Sequence, residues 1–163
     1  MRTAILALKR GRRDVARRLG EILAERIEGT ISSDAILVGV PTARTRRRER
    51  GFDQGPILAS IAARRLEMAS VTALRARSDW SQHTGSREER LSVVGRFAGV
   101  YCRELGGREV ILVDDVATTG ATLIDSANAL RAHGARVSLA LVIAYTPRRS
   151  RSDGSVDSPL PRG

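Results

Sequence analysis

Several residue types that build common kinds of site are scarce in this chain of 163 residues. The single cysteine, Cys102, excludes an intrachain disulfide framework and a cysteine-rich zinc centre. The two histidines, His83 and His133, are too few to favour a metal site built on imidazole ligands. One tryptophan, two tyrosines and two phenylalanines give weak support to a surface that stacks nucleic-acid bases.

Long apolar runs are missing as well. No segment approaches the length that a membrane span needs. The opening segment MRTAILALKR has too short an apolar run, and charges on the wrong side of it, for a secretory signal. We therefore expect a cytoplasmic protein. The length suits one domain with a substantial core rather than two domains.

Lysine is scarce too, because Lys9 is the one lysine among 28 basic residues, and the others are arginine. Set against 18 acidic residues, they leave a net charge of +10. The planar guanidinium group binds phosphate in a bidentate manner, so the composition favours an anionic partner. That partner is either a nucleic acid or a phosphorylated small molecule. The alternative is that the arginines are simply solvated surface charges.

Helical and strand patterns alternate along the chain, which predicts an α/β fold with a mostly parallel, twisted sheet flanked by helices. The patterns predict helices over residues 12–28, 56–68 and 120–133, and strands over residues 35–40, 71–76, 97–101, 110–113 and 137–144. The three apolar strands over residues 35–40, 110–113 and 137–144 are expected to be buried. The domain is expected to cover residues 1–146, and residues 147–163, rich in Pro, Ser, Gly and charge, to form a disordered tail.

The segment VILVDDVATTGAT, residues 110–122, carries the chemistry. An apolar strand ends at Asp114 and Asp115, and ligands of parallel sheets bind beyond the carboxyl ends of the strands. A turn rich in threonine and glycine then enters a helix, whose first N–H groups and dipole favour an anion. Gly120 lets a ligand approach the backbone closely.

One kind of ligand satisfies both halves of this segment. A phosphate group suits the Thr-Thr-Gly-x-Thr turn, and the two hydroxyls of a ribose suit the paired carboxylates. The two acids can also support Mg²⁺, directly or through water. The alternative reading, a strand end and a helix cap, requires only one aspartate.

These residues resemble the phosphoribosyl pyrophosphate (PRPP) motif of the type I phosphoribosyltransferases. The resemblance implies that fold and a Mg²⁺-dependent PRPP site. It implies that Asp114 and Asp115 hold the ribose and the metal. It assigns the 5′-phosphate to a turn made of Ala117, Thr118, Thr119, Gly120, Ala121 and Thr122.

A second segment, VGVPTARTRRRERGFDQ at residues 38–54, resembles a block of the ComF family, a group within that fold linked to competence and DNA uptake. Two positions depart from the family pattern, because Asp53 replaces the usual asparagine and Ser92 lies near another. The four-cysteine zinc module with which ComF-like chains usually begin has no counterpart in this sequence.

The resemblance also implies roles for two loops. Backbone N–H groups of Thr42, Ala43 and Arg44 would bind the pyrophosphate. The segment 75–90 would close over PRPP, and Arg75 and Arg77 would neutralise the departing pyrophosphate as catalytic residues.

Three hypotheses about function follow. The first is a phosphoribosyltransferase that uses Mg·PRPP and an acceptor that the sequence does not name. The second is a non-catalytic protein that binds nucleotides or single-stranded DNA in a competence role. The third is a shortened relative that folds but has lost a partner domain. The sequence sets no oligomeric state, and a homodimer is compatible with it.

Overall fold

The computed structural model of the chain describes residues 2–42, 52–76, 97–100 and 105–146. Within these ranges the elements follow one another in the order α1 (Arg2–Lys9), α2 (Arg13–Ile27), β1 (Ile36–Gly39), α3 (Gln54–Arg65), β2 (Ala69–Val71), β3 (Leu74–Ala76), β4 (Phe97–Gly99), β5 (Glu109–Ala117), α4 (Ala121–Arg131) and β6 (Arg136–Tyr145). The predicted disordered tail, residues 147–163, lies outside the described residues.

A parallel sheet forms the centre of the fold, with the strand order β2-β1-β5-β6. A second sheet pairs β3 with β4 in antiparallel fashion. The predicted α/β class with a mostly parallel sheet is therefore confirmed. Among the described residues, no helix has the length and apolar character needed to cross a bilayer.

Hydrophobic residues cover both faces of the central sheet. On one face, α2 and α3 pack against β1 and β5 through a cluster that includes Leu23, Leu37, Leu58 and Ile111. On the other face, α4 and the small sheet pack through a second cluster, with Val38, Leu74, Phe97, Leu112 and Leu130 among its members. Alternate residues of β1 and β5 enter opposite clusters, as the twofold side-chain period of a strand requires.

Both ends of the third helix differ from the prediction of residues 56–68. The third helix begins at Gln54, so Pro56 lies in its first turn as predicted, and it ends at Arg65. It stops early because Glu67 adopts a left-handed φ of +55°, and the Met68 N–H then donates to the Ala63 carbonyl. Helix α1 was not predicted at all.

The predicted strand over residues 71–76 is wrong as a single element. It divides into the end of β2, which pairs with β1, and the whole of β3, which pairs with β4 in the other sheet. The buried residues Ala73 and Leu74 direct the chain towards the second hydrophobic cluster, and the two strands therefore serve different sheets.

The last strand was predicted to be buried, and this is also wrong. Strand β6 lies at the edge of the sheet, and much of it is exposed, including Leu139 and Tyr145. An apolar run does not distinguish a central strand from an edge strand, because both satisfy the same local propensities.

Candidate functional site

The candidate site lies where the order in which strands are added to the sheet reverses. The chain passes from β1 to β2 on one side and later places β5 on the other side of β1, so β1 and β5 flank a topological switch point. The Val40 N–H donates to the Val113 carbonyl at 2.8 Å and closes the pairing just beyond the end of β1. In sheets of this kind, ligands bind outside the carboxyl ends of the strands at such a point.

The acidic pair, Asp114 and Asp115, follows this last contact directly. It does not end the strand, as was predicted, because β5 continues beside β6 as far as Ala117. Asp114 pairs with Val142 of β6, whereas the pairing with β1 has already ended at Gly39 and Val113. The acids therefore stand inside an extended strand, next to the space beyond β1.

Lys9 reaches the acidic pair from the end of α1. Its Nζ lies 3.9 Å from Asp115 Oδ2, and both side chains are partly buried. On the other acid, Asp114 Oδ1 accepts a hydrogen bond of 2.8 Å from the Asp115 N–H. The sequence analysis assigned no role to Lys9, because the contact joins distant parts of the chain. The only feature of the sequence that sets Lys9 apart is that it is the one lysine of the chain.

The surroundings of Asp114 disfavour its charged form. Burial of the carboxyl group and the nearby charge of Asp115 raise the pKa of Asp114 from 3.8 to about 7, while the charge of Lys9 opposes this change. A buried acid of this kind gains stability when a hydrogen-bond donor or a cation arrives. The site is thus prepared for a ligand with hydroxyl groups or for a metal ion.

We expect this carboxyl group to make the stability of the ligand-free protein depend on pH. Between about pH 4 and about pH 7 the folded chain binds more protons at Asp114 than the unfolded chain, so stability falls as the pH rises. The Asp114→Asn variant has no carboxyl group at this position, so its stability does not fall with rising pH for this reason. Its free energy of unfolding, relative to wild type, should rise by roughly 3 kcal/mol across the window.

Urea unfolding of both proteins at several pH values, with EDTA present, measures this difference. Asparagine at position 114 still offers an oxygen to the Asp115 N–H, so the backbone contact is retained. Stability curves that run parallel from pH 4 to pH 8 would contradict the assigned burial of the carboxylate.

The turn after the acidic pair presents the start of α4. Gly120 occupies the N-cap position with a φ of +75°, a conformation that favours glycine, and has no side chain to cap the helix. The Ala121 N–H, at the first position of the helix, donates to Thr119 Oγ1 with an N···O distance of 3.4 Å. Thr118 and Thr119 are exposed, so the turn places hydroxyl groups and helix N–H groups at the surface beside the acids.

A second helix begins at the same edge of the sheet. Thr42, which follows β1, is held by the first residues of α3 through two contacts. Its N–H donates to Asp53 Oδ1 at 3.1 Å, and its Oγ1 donates to Gln54 Oε1 at 3.0 Å. The Thr42 N–H, which the family resemblance assigned to pyrophosphate, thus donates to Asp53 in this structure. The sequence analysis missed this role of Asp53 and Gln54.

Two glycines allow α3 to approach the strands so closely. A Cβ atom on Gly55 would lie 2.3 Å from the Val40 carbonyl oxygen and 2.9 Å from that of Val113. A Cβ atom on Gly39 would lie 2.3 Å from the backbone of Pro56. The helix start is therefore fixed against the ends of β1 and β5, next to the acidic pair.

The remaining predicted site residues are not brought together by the described part of the chain. Ala43, Arg44 and Arg77 lie outside the described residues. Arg75 is exposed on β3, opposite Ala98 of β4, in the small sheet that packs on the α4 side. Across the described ranges, no ion pair or hydrogen bond joins Arg75 to the acidic pair.

The acidic pair suits a magnesium ion that is held together with a substrate better than one that is held by protein side chains alone. The described residues contain no group of three or more His, Cys, Asp or Glu side chains that would hold a metal alone. Mg²⁺ commonly binds through one or two carboxylates and completes its shell with water and substrate phosphates. Two adjacent carboxylates beside an anion site offer this donor set.

Comparisons with known proteins agree with this fold. The family model of the phosphoribosyl transferase domain matches residues 52–158, which is more than half of the chain. An orotate phosphoribosyltransferase from Halobacterium salinarum is 33% identical over 92 residues, which cover 56% of this chain and 50% of that protein. The chain thus spans half the length of this curated relative.

Solved structures show the same fold. The adenine phosphoribosyltransferase from Thermoanaerobacter pseudethanolicus aligns with a TM-score of 0.54 at 20% identity, covering 81% of this chain and 69% of that chain. The glutamine PRPP amidotransferase from B. subtilis, complexed with ADP and GMP, aligns with a TM-score of 0.56 at 19% identity. That match covers 79% of this chain and 26% of the amidotransferase.

Proposed function

Because this chain belongs to the phosphoribosyl transferase family, we propose that it binds Mg·PRPP and transfers the phosphoribosyl group to an acceptor in the cytoplasm. One observation supports this most directly. The acidic pair stands beside a helix start whose N-cap residue, Gly120, has no side chain to cap it, at the switch point of a parallel sheet. Donors for a phosphate and acceptors for hydroxyl groups therefore lie within one short segment of chain.

The proposed roles follow from the chemistry of each group. The carboxylates of Asp114 and Asp115 accept hydrogen bonds from the ribose hydroxyls, and the turn of residues 117–122 holds the 5′-phosphate. The loop that begins at Thr42 and continues through Ala43 and Arg44 holds the pyrophosphate. Arg75 and Arg77 neutralise the pyrophosphate as it departs.

The reaction needs positioning and charge stabilisation rather than a protein nucleophile. The bond between the anomeric carbon and pyrophosphate breaks, and its electron pair leaves with pyrophosphate. A lone pair of the acceptor forms the new bond, and the acceptor loses a proton to solvent or to a nearby base. Mg²⁺, held by Asp114 and Asp115, would offset negative charge on the pyrophosphate.

The buried state of Asp114 suits this assignment. A carboxyl group whose charged form is disfavoured gains more from hydroxyl donors or a cation than a solvated one does. Lys9 neutralises part of the charge of Asp115 in the ligand-free chain. Ligand binding would thus exchange an internal counter-ion for substrate and metal.

A finer assignment, to the ComF-like members of the fold, rests on the block from Pro41 to Gln54. The last two residues of this block, Asp53 and Gln54, both accept hydrogen bonds from Thr42. A link to competence would fit the second candidate function, binding of single-stranded DNA. The observation that favours this candidate is the net charge of +10, carried almost wholly by arginine.

Calorimetric titration with PRPP, ribose 5-phosphate and pyrophosphate, each with Mg²⁺, tests the proposal. We expect PRPP and ribose 5-phosphate to bind, and pyrophosphate release to follow when the right acceptor is added. A folded protein that binds neither PRPP nor ribose 5-phosphate would refute the proposed site. Fluorescence anisotropy with an oligonucleotide at rising salt separates the second candidate, since phosphate contacts produce a steep fall in affinity.

A further inference from the structure

Gln54 is the one buried polar side chain, among the described residues, with an atom that lacks any hydrogen-bond partner. Its side chain is 1% exposed, and its Oε1 accepts from Thr42 Oγ1, but its Nε2 has no acceptor. A buried donor left unpaired is destabilising, and native structures contain few of them. A leucine or methionine of similar size would avoid this unpaired donor at the same place.

The position of Gln54 indicates what the free donor is for. It is the first residue of α3, a helix of 12 residues whose N-terminus faces the carboxyl ends of β1 and β5. The next residue, Gly55, is packed against the carbonyl groups of Val40 and Val113. Because the backbone is confined there, only the side chain of Gln54 can adjust its contacts.

Two observations thus coincide at one place. A helix N-terminus attracts anions, and a buried amide beside it holds a donor without an acceptor. The contact with Thr42 turns the carboxamide so that its oxygen is occupied and its nitrogen is left available. The acidic pair lies on β5, and α4 begins shortly after that strand. The Nε2 donor of Gln54 lies beside the end of β1, on the opposite side of the switch point.

We propose that Gln54 binds the pyrophosphate end of the ligand, with Nε2 donating to a pyrophosphate oxygen while Oε1 continues to hold Thr42. This inference rests on the proposed function, and it assigns selectivity for the pyrophosphate half of PRPP to a side chain at the start of α3. Because Nε2 is buried, the contact requires the groups that cover it to move aside when the polyanion binds.

Three variants separate the donor from the acceptor of this side chain. Gln54→Met removes both, Gln54→Glu keeps an oxygen for Thr42 but loses the donor, and Thr42→Val removes the hydroxyl but leaves the Nε2 donor. Leu58→Met is the matched control, because Leu58 is fully buried one turn along the same helix and belongs to the core cluster. Affinities for pyrophosphate and for ribose 5-phosphate, each with Mg²⁺, are measured by calorimetry, and stability by thermal unfolding.

We expect pyrophosphate to bind about tenfold more weakly, or worse, to Gln54→Met and Gln54→Glu, as the loss of a hydrogen bond to a charged group implies. Ribose 5-phosphate should bind all variants within about twofold of wild type, because its proposed contacts are with the acidic pair and the turn of residues 117–122 and not with Gln54. Ligand-free Gln54→Met should unfold at a temperature no lower than wild type, because it loses an unpaired donor. Thr42→Val should weaken pyrophosphate binding less than Gln54→Met does.

Two results would overturn the inference while leaving the proposed function intact. One is pyrophosphate binding to Gln54→Met that equals wild type. The other is a parallel loss of both ligands together with a lower unfolding temperature, which a purely structural role would produce. If Gln54→Met does not fold, the Gln54→Glu and Thr42→Val pair decides the question. Failure of wild type to bind ribose 5-phosphate or PRPP would instead refute the proposed function and this inference with it.

Discussion

Replacing Asp114 and Asp115 together by asparagine should weaken PRPP binding by at least about a hundredfold. Each carboxylate is expected to accept a hydrogen bond from a ribose hydroxyl, and hydrogen bonds to charged groups contribute roughly 1.5–3 kcal/mol each. The substitution keeps the size of both side chains and removes only their charge. Calorimetric titration with Mg·PRPP measures the loss.

The control for this experiment is Glu109→Gln, which removes one carboxylate from the other end of the same strand. Glu109 begins β5 and accepts a hydrogen bond from Ser138 Oγ, far from the switch point. Its variant should bind PRPP as wild type does. Unfolding curves of the double variant separate a lost site from a lost fold, since Asp114→Asn is expected to stabilise the ligand-free chain. Unchanged PRPP binding in the double variant would place the ribose elsewhere.

The substitution Gly55→Ala should destabilise the protein by about 3 kcal/mol, a large share of the stability of a small domain. The added methyl group would lie 2.3 Å from the Val40 carbonyl oxygen, which is closer than real Cβ contacts occur. Both the helix start and the strand ends are backbone, so neither can move aside cheaply. Chemical denaturation measures the change in the free energy of unfolding.

Gly29→Asn is the matched control for Gly55→Ala. Gly29 has a φ of +74° and no atom within 4 Å of an added Cβ, so asparagine there meets only the modest strain of the left-handed region. We expect it to destabilise by less than about 1 kcal/mol. Gly55→Ala should also weaken PRPP binding, because the displaced strand ends carry Thr42 and Asp114. Equal stability of the two variants would show that α3 does not need its close approach to the sheet.

The local structure of the proposed site could be predicted from the sequence only where its parts are contiguous. The strand, the acidic pair, the threonine-rich turn and the helix of residues 110–122 follow one another along the chain, and each has its own local propensity. The structure arranges them in that order, although β5 runs on past the acids as far as Ala117. That extension depends on pairing with β6, which no local pattern within β5 reports.

Contacts between distant segments could not be predicted in this way. Lys9 meets Asp115 because α1 lies near the end of β5, and neither segment contains a signal for the other. Asp53 and Gln54 were recognised as part of a family block, but their contacts with Thr42 depend on how closely α3 approaches β1. The exposure of β6 likewise depends on its place at the edge of the sheet.

The sequence by itself determined the alternation of helices and strands, the fold class and the order of strand, acidic pair, threonine-rich turn and helix in residues 110–122. These features depend on short-range patterns, on hydrophobic periodicity and on turn residues, which act within about a dozen positions of the chain. The tertiary structure alone decided which side chains surround those acids, which strand lies at an edge and which buried donor is left unpaired. Such properties arise from packing between segments that are far apart in the chain, and packing is set by the whole fold at once.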